Sequence, residues 1–530
     1  MRCLTVVIVV LVGGVGGSAA GCSQLLGLAA PSEARDASPG GGGGDGGSID
    51  AAPGDFTLQL ARATARVPAG SFDFIDVTIA RGAGNDLPIQ VDVPQPPAGV
   101  TTMAAMIAGD ATTGHVRVTG DASLAIGSAF TLDVVASDGM HTHDVMVPTH
   151  VTGIPGTLDP TFGSNGTGVV DIPLGTLAGS FTGLAVNPVN DDAVAAGTNE
   201  SSLGSAPALA IVGSNGAVVI STGDVPCSCP NADGYTTVAI GTNRIFAVGQ
   251  SETSGGDQPF VSAFTNAGAL DKGFDFTQGD EFYAVGSLFT AVAIDATDVM
   301  LMTDADTLMR IPQAGGSPDP AWHGGTPISL TISAQGPQAI AVDSGQHVYA
   351  VGTAVNGDAA VERFTEGGAA DVDFGSAGVV TCGVIGNAAA AVVQPDHRVV
   401  AAGSSNGTVV VFRVLPAGGL DPSFGVGGVA TPALPVSGVV VVAMALQDDG
   451  KLVVAGNASG TALLVRYLPD GELDPTFGNG GVAVVPAGQS PVFGGVAVQS
   501  TGMLVVTGGN ADTPHSNGVD GNGMFARVWF

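Results

Sequence analysis

Short runs in which apolar and polar residues alternate, separated by Gly, Pro, Asn and Asp, run from Phe56 to the end of the chain. Examples in the first part are "FTLQLARATARV", "FDFIDVTIAR" and "FTLDVVASDG". Alternation over about five to eight residues is typical of half-buried strands, and several such strands in a row indicate a two-sheet sandwich. We therefore predict a β-sandwich over residues 56–152.

From residue 158 the pattern repeats about every fifty residues, which is the mark of a repeat fold. The first marker is an aromatic residue in a turn such as "LDPTFG"; it recurs at Phe162, Phe274, Trp322, Phe374, Phe424 and Phe477. The second marker is a glycine that ends an apolar run; it recurs at Gly197, Gly249, Gly352, Gly403, Gly456 and Gly508, with Thr303 in its place in the third unit. Together the two markers predict seven units.

Each unit has four apolar runs joined by Gly, Asp and Asn turns, which predicts four short strands and leaves no room for a helix. Seven such units predict an all-β, seven-bladed β-propeller over 158–530. The first unit has a spare strand at 166–173 and the last unit stops after its third strand. We therefore expect Val169–Ile172 to pair with Ala526–Trp529 and close the ring, and the turn aromatics to fill the space between blades.

Two resemblances follow from these residues. The units that read "ALQDDGKLVVAG" and "VRYLPDGELDPTFG" resemble the delta-60 repeat family of bacterial surface and secreted proteins, over 158–530. That resemblance implies a β-propeller fold and carries no catalytic residues. The stretch "ATTGHVRVTGDASLAIGSAFTLDVVASDG" is similar to bacterial immunoglobulin-like modules, which implies an immunoglobulin-like sandwich at 56–152.

The first twenty-two residues have the layout of an export signal: Arg2, an apolar run too short to span a bilayer, and small residues that end at Cys22. The segment "AAGC" resembles a bacterial lipobox, which implies lipidation of Cys22 and anchoring in the outer membrane of a Gram-negative bacterium. The Gly/Pro/Ser-rich residues 23–55 are predicted to form a flexible linker. Cys227 and Cys229 form a local disulfide or stay free, and Cys382 lies far from both in sequence.

The chain carries 47 acidic and 15 basic side chains, a formal charge of −32, which disfavours nucleic acid as a partner. The histidines of the repeats, His323, His347, His397 and His515, fall in different units, and the predicted inner strands are rich in Ala and Val. His141 and His143 share a strand face and could chelate a metal, but they follow an Asp-Gly-Met turn, so we interpret them as part of a solvated hairpin turn rather than as a ligand pair. We expect no cofactor and no metal, apart from weak Ca²⁺ binding.

These observations predict a non-enzymatic, lipid-anchored monomer whose propeller binds a protein or a glycan. The longest inter-strand loop, 513–523, is the candidate binding loop, with His515, Asn517, Asp520 and Asn522. One alternative is a propeller enzyme, such as a lyase or a sugar-acting enzyme, with its site at one mouth of the ring. A further alternative is a structural envelope protein without a specific ligand.

Overall fold

In a computed structural model of the chain, the described residues are 52–174, 178–201, 204–222, 232–253, 256–274, 280–283, 286, 288–295, 297–332, 338–488, 490–510 and 522–530. They form two compact units, which divide between Pro155 and Gly156. Both units are built from strands, and a short 3-10 turn occurs at His323–Gly325.

The first unit consists of two sheets that share one hydrophobic core. Its strands are β1 (Phe56–Leu60), β2 (Ala65–Pro68), β3 (Phe72–Arg81), β4 (Ile89–Asp92), β5 (Val100–Met103), β6 (Ala105–Ile107), β7 (Thr113–Gly120), β8 (Ala129–Ser137) and β9 (Thr142–Thr152). One sheet has the order β1-β3-β7-β5 and the other β2-β9-β8-β4-β6. Alternate residues of β3 point inward, as Ile75, Val77 and Ile79 do, so the period of two in the sequence forms the sandwich core.

The described residues of the second unit, from Gly156 to Phe530, form seven four-stranded sheets. The first strand of this unit, β10 (Val169–Pro173), belongs to sheet 7. Sheet 1 consists of β11 (Ala178–Val186), β12 (Ala193–Ser201), β13 (Gly204–Val212) and β14 (Val218–Thr222), and sheet 2 of β15 (Ala232–Ile240), β16 (Arg244–Thr253), β17 (Gly256–Thr265) and β18 (Asp280–Phe282). Sheet 3 consists of β19 (Phe289–Ile294), β20 (Asp298–Thr303), β21 (Thr307–Pro312) and β22 (Ile328–Ser329), and sheet 4 of β23 (Ala339–Val342), β24 (Val348–Thr353), β25 (Asp358–Phe364) and β26 (Val379–Ile385). The remaining strands are β27 (Asn387–Val393), β28 (Val399–Ser405), β29 (Thr408–Val414) and β30 (Val429–Ala430) in sheet 5; β31 (Val440–Leu446), β32 (Leu452–Ala458), β33 (Thr461–Tyr467) and β34 (Val482–Val484) in sheet 6; β35 (Val492–Val498), β36 (Leu504–Asn510) and β37 (Asn522–Val528) in sheet 7.

The first strand of each sheet contacts the first strand of the next sheet along the chain. The contacts run β11 to β15, β15 to β19, β19 to β23, β23 to β27, β27 to β31 and β31 to β35, and β35 in turn contacts β11. The succession of neighbouring sheets therefore returns to its start. We call this second unit the ring unit.

Sheet 7 joins distant parts of the chain, because β10 pairs with β37 in antiparallel orientation. Val169 lies opposite Ala526, and Pro173 lies opposite Asn522. The predicted pairing is present, but its predicted extent was wrong: the partner of β10 is 522–526 rather than 526–529. The last residues of the chain bond instead to the segment before β10, where Gly156 N–H donates to Trp529 O at 2.8 Å.

The glycine marker in the second strand has a steric cause. In six sheets the register of the first strand shifts by one residue, and the shift lies opposite Gly197, Gly249, Thr303, Gly403, Gly456 or Gly508. Such a bulge pushes the first strand toward its partner. A Cβ atom added to Gly403 would lie 1.7 Å from the carbonyl oxygen of Asn387, and one added to Gly508 would lie 1.9 Å from that of Val492. At Gly403 and Gly508 a residue with a Cβ atom would overlap the backbone of the first strand, whereas sheet 3 has Thr303 at the corresponding position.

We expect Gly403→Ala to lower the free energy of unfolding of the ring unit by roughly 3 kcal/mol, because the new methyl group overlaps a backbone atom that cannot move alone. Gly367→Ala is the matched control, since a Cβ there meets nothing within 4 Å. Its effect should stay within about 0.5 kcal/mol. Urea denaturation of both variants measures the difference, and equal midpoints would show that the close approach is not needed.

Candidate functional site

An arginine and an aspartate meet beside the marker turn in most sheets of the ring unit. The aspartate lies three residues before the turn aromatic, and in five sheets the arginine lies on the third strand. The closest nitrogen–oxygen distances are 2.6 Å for Arg527 and Asp159, 2.5 Å for Arg310 and Asp319, 2.7 Å for Arg363 and Asp371, 2.8 Å for Arg413 and Asp421, and 2.9 Å for Arg466 and Asp474. We call each of these pairs, with its turn aromatic, a clamp.

The turn aromatic of each clamp lies beneath the guanidinium group. The distances from the arginine Cζ to the ring centre are 5.0 Å for Phe162, 5.2 Å for Trp322, 4.2 Å for Phe374, 4.8 Å for Phe424 and 4.5 Å for Phe477. All five rings are at most 1% exposed, as is Phe274 in sheet 2. A cation above a buried ring gains cation–π attraction and covers the ring from water.

In four of the five clamps the arginine also donates to a carbonyl of the following sheet. The guanidinium of Arg413 in sheet 5 donates to Pro469 O in sheet 6 at 2.6 Å, and Arg363 in sheet 4 donates to Pro416 O in sheet 5. A glycine of the following sheet packs against the same place: a Cβ added to Gly368 would lie 2.9 Å from the ring of Trp322. The turn aromatics thus lie where one sheet meets the next.

Sheet 2 builds the clamp with a cation from a different strand. Ala263 occupies the position of the usual third-strand arginine, and Arg244 at the start of the second strand pairs with Asp271 at 2.7 Å. Arg244 also donates to Gln313 O in sheet 3 at 2.8 Å. Lys451 in sheet 6 has the same second-strand position and lies 3.2 Å from Asp474, so the site accepts a cation from either strand.

The clamp of sheet 6 is the most buried, with Arg466 and Asp474 both at most 2% exposed. Burial alone would raise the pKa of Asp474, but the charges of Arg466 and Lys451 and hydrogen bonds from Thr476 lower it to about 2. The carboxylate therefore stays ionised in the folded protein.

This shift makes stability dependent on pH in acid. An aspartate whose pKa is about 2 when folded and 3.8 when unfolded contributes stability that is complete above about pH 4 and is lost as the pH falls toward 2. We expect the urea midpoint of the ring unit to fall over that window, and to fall less steeply in Asp474→Asn. A midpoint that stays constant between pH 4 and pH 2 would contradict the clamp electrostatics.

The clamps engage most of the positive charge of the ring unit. Residues 156–530 contain nine Lys and Arg side chains against 33 Asp and Glu. Among the described residues, eight of the nine form ion pairs with carboxylates of the same unit, and all eight lie within 4 Å of the aspartate of a marker turn. Because these cations are held by structural partners, the remaining surface charge of the unit is strongly acidic.

Two histidines from different repeats meet at one buried carboxylate, a contact that the sequence does not indicate. His347 Nδ1 lies 3.1 Å and His397 Nδ1 lies 3.5 Å from Asp343 Oδ2, and the Tyr349 hydroxyl donates to the same oxygen at 3.1 Å. Asp343 and His347 belong to sheet 4, and His397 lies in the first hairpin of sheet 5. Within the described part of the chain, no group of three or more His, Cys, Asp or Glu is arranged to hold a metal ion.

The histidines of the sandwich are held by aspartates. His143 Nε2 lies 2.9 Å from Asp55 Oδ1, and its ring meets Phe56 edge-on at 4.7 Å between centroids. His141 Nδ1 lies 3.2 Å from Asp138 Oδ2. His143 is therefore packed into the domain rather than placed in a solvated turn.

Several predicted residues lie outside the described residues. They are Cys22, Cys227, Cys229, His515, Asn517 and Asp520. Asn522 begins β37 and lies opposite Pro173, so it belongs to the closing strand pair. Cys382 is a buried free thiol. Among the described residues no helix is long and apolar enough to cross a membrane.

The arginines of the clamps are the residues that sequence reasoning missed. A regular spacing in the sequence could have revealed these arginines, because Arg363, Arg413 and Arg466 each precede the turn aspartate by eight residues. The pair of Arg527 and Asp159 shows no such spacing, since its members lie at opposite ends of the ring unit. Glu362 was also missed; it is 1% exposed and accepts hydrogen bonds from Thr331 N–H and Oγ1–H at 2.8 and 2.9 Å.

Residues 447–477 match the model of a domain of unknown function (DUF5122) described as a β-propeller. The matched segment contains strands β32 and β33 and the turn of Phe477. No curated protein matches the chain. The all-β architecture, with its many small sheets, and the family match together support a β-propeller in this chain.

Proposed function

We propose that the protein is a surface or periplasm-facing protein, lipid-anchored in a Gram-negative outer membrane, in which a seven-bladed propeller serves as a non-enzymatic binding scaffold for a protein or a glycan. The observation that carries the proposal is the use of ionisable side chains in the ring unit. Its arginines and the aspartates of its marker turns hold neighbouring sheets together, so they are engaged in structure. Recognition is then left to the loops between strands, the usual place for it on a rigid scaffold.

The seven-bladed arrangement is supported by the seven four-stranded sheets and by the contacts that return from β35 to β11. The clamp of Arg527 and Asp159 is formed by the two ends of this unit and repeats the geometry of the clamps within single repeats. An immunoglobulin-like identity for the first unit is supported by its two sheets and shared core.

The anchor is proposed from the sequence around Cys22. Acylation of that cysteine and the linker 23–55 would hold the sandwich and the propeller at a membrane. Metabolic labelling with a radioactive fatty acid in a Gram-negative host tests this part: the intact chain should carry label in the outer-membrane fraction, and Cys22→Ser should carry none. Equal labelling of both proteins would refute the anchor.

A propeller enzyme is the second candidate, and one observation favours it. Two imidazoles and one carboxylate from two sheets lie close together, those of His347, His397 and Asp343. Both histidine side chains are more than a third exposed. Convergent ionisable groups on neighbouring blades are what an active site at one mouth of a propeller needs. A structural envelope protein without a ligand is the third candidate.

Binding to a glycan array and to outer-membrane proteins separates these candidates. We expect the intact chain to bind a defined ligand, and replacement of loop 513–521 by a Gly/Ser segment of equal length to abolish that binding without changing the melting temperature. His347→Ala with His397→Ala should leave binding intact. Retention of binding without the loop would show that the binding site lies elsewhere. Turnover of a bound sugar by the intact chain, lost in the double histidine variant, would favour the propeller enzyme.

A further inference from the structure

The outer face of the sheet β1-β3-β7-β5 in the first unit carries aromatic and cationic side chains side by side. Phe72 and Phe74, two residues apart on β3, meet edge to face at 5.7 Å between centroids. On the neighbouring strand β7, Arg117 places its guanidinium carbon 3.7 Å from the ring centre of Phe72, and His115 meets Phe74 edge-on at 6.3 Å. We call these four residues the aromatic–arginine face.

Arg117 differs from the arginines of the ring unit in having no carboxylate partner among the described residues. Its guanidinium is held by the Phe72 ring, and its Nε is buried without a hydrogen-bond acceptor. In a chain with 47 acidic side chains, an arginine held in place by stacking and left without an anion is a preorganised donor for an anionic ligand.

A shallow depression lies beside this face, where the chain passes from one sheet of the sandwich to the other. Its lining includes Phe74 and Asp76 from β3, the two arginines Arg62 and Arg66, and the hydroxyl-bearing Thr64. Asp76 is paired with His115 at 2.6 Å. Arg62 and Arg66 thus line the depression beside the partly exposed ring of Phe74, Arg117 lies opposite Phe74 on β7, and the carboxylate of Asp76 is engaged by His115.

We propose that the aromatic–arginine face and its depression bind a polysaccharide that carries carboxylate groups, such as a chain of uronic acids. Arginine recognises a carboxylate through two parallel N–H donors, and an aromatic ring contacts the C–H face of a sugar. Thr101 and Thr119 lie in the same cross-strand row as Phe72 and present hydroxyl groups to the same side. An acidic peptide would match the charges but would make no use of the partly exposed ring of Phe74.

This site belongs to the sandwich, whereas the proposed function places recognition in the propeller loops. The binding site on the sandwich and the binding loops of the propeller can therefore be disproved independently of each other. The arginines of this face and its depression would attract a carboxylated polysaccharide locally. The ring unit, with its excess of acidic groups, would repel the same polymer.

Polygalacturonate is the probe, and its affinity for the intact chain is measured by titration calorimetry at low and at physiological salt. We expect binding that weakens with salt, no binding of neutral dextran, and weaker binding of polyglutamate than of polygalacturonate. Arg117→Gln should lower the affinity at least tenfold, and Phe74→Leu severalfold. Arg117→Lys should lie between wild type and Arg117→Gln, because it keeps the charge and loses the two-donor geometry.

Lys272→Gln is the matched control; it removes one exposed positive charge from the ring unit and should bind as wild type does. Thermal unfolding confirms that each variant is folded before its affinity is compared. The proposal is overturned if the intact chain does not bind polygalacturonate, if Arg117→Gln binds as tightly as Lys272→Gln, or if polyglutamate binds as well as the sugar polymer.

Discussion

Replacing β10, residues Val169–Pro173, with five Gly and Ser residues is expected to lower the free energy of unfolding of the ring unit by about 5 kcal/mol. The side chains of Val169, Val170 and Ile172 are at least nine-tenths buried, and burial of each aliphatic side chain contributes about 1.5–3 kcal/mol. The same change leaves β37 with an unpaired edge, which favours association with other chains. Urea denaturation and size-exclusion chromatography measure the two effects.

The control replaces β14, the outer strand of sheet 1, with the same segment. β14 is also five residues long, but Val218 and Val219 are about half exposed and a hairpin joins the strand to its own sheet. We expect a clearly smaller loss and no association. Equal losses in the two variants would mean that β10 is an ordinary edge strand rather than the closing strand.

The second large effect is expected from Arg466→Ala. Removing this arginine leaves the buried carboxylate of Asp474 with Lys451 as its remaining cation and uncovers the ring of Phe477. Breaking a buried ion pair from one side typically costs 3–5 kcal/mol. Because Lys451 remains, we expect a loss of about 3 kcal/mol, measured as a shift in the urea midpoint at neutral pH.

Arg398→Ala provides the matched arginine deletion. Arg398 is 35% exposed; it pairs with Asp396, which is 50% exposed, and also lies 3.0 Å from the buried Asp421. Asp421 keeps Arg413 as a closer cation at 2.8 Å, so deletion of Arg398 mainly removes an interaction that solvent screens. The loss there should stay below about 1 kcal/mol. A loss in Arg466→Ala that is no larger than in Arg398→Ala would show that the clamps do not hold the sheets together.

Much of the architecture was predictable because it depends on local sequence. Alternation fixes which residues point inward, and the Gly, Asp and Asn turns fix where each strand ends, so four strands per repeat could be read directly. The pairing of β10 with β37 was also predictable, since a spare strand at one end and a missing strand at the other indicate closure. Its register was not, because nothing local to Val169 or Trp529 shows where the two strands align.

The features that were missed arise from tertiary contacts. Arg527 and Asp159 are far apart in sequence and meet through closure of the ring unit. Asp343 and His397 belong to different repeats, and their meeting depends on how the first hairpin of sheet 5 lies against sheet 4. Arg244 replaces the usual clamp arginine from another strand, a compensation that no single repeat reveals.

The two ends of the ring unit pair in one sheet, and the architecture depends on this pairing. Val169 and Ala526 are direct partners, and Arg527 N–H donates to Gly168 O, so the Cα atoms of the pair should lie about 4.5 Å apart, within reach of a disulfide. We predict that Val169→Cys with Ala526→Cys forms a cross-link under mild oxidation, identified by mass spectrometry, and raises the urea midpoint. No cross-link between these two positions, in a protein that is otherwise folded, would contradict closure.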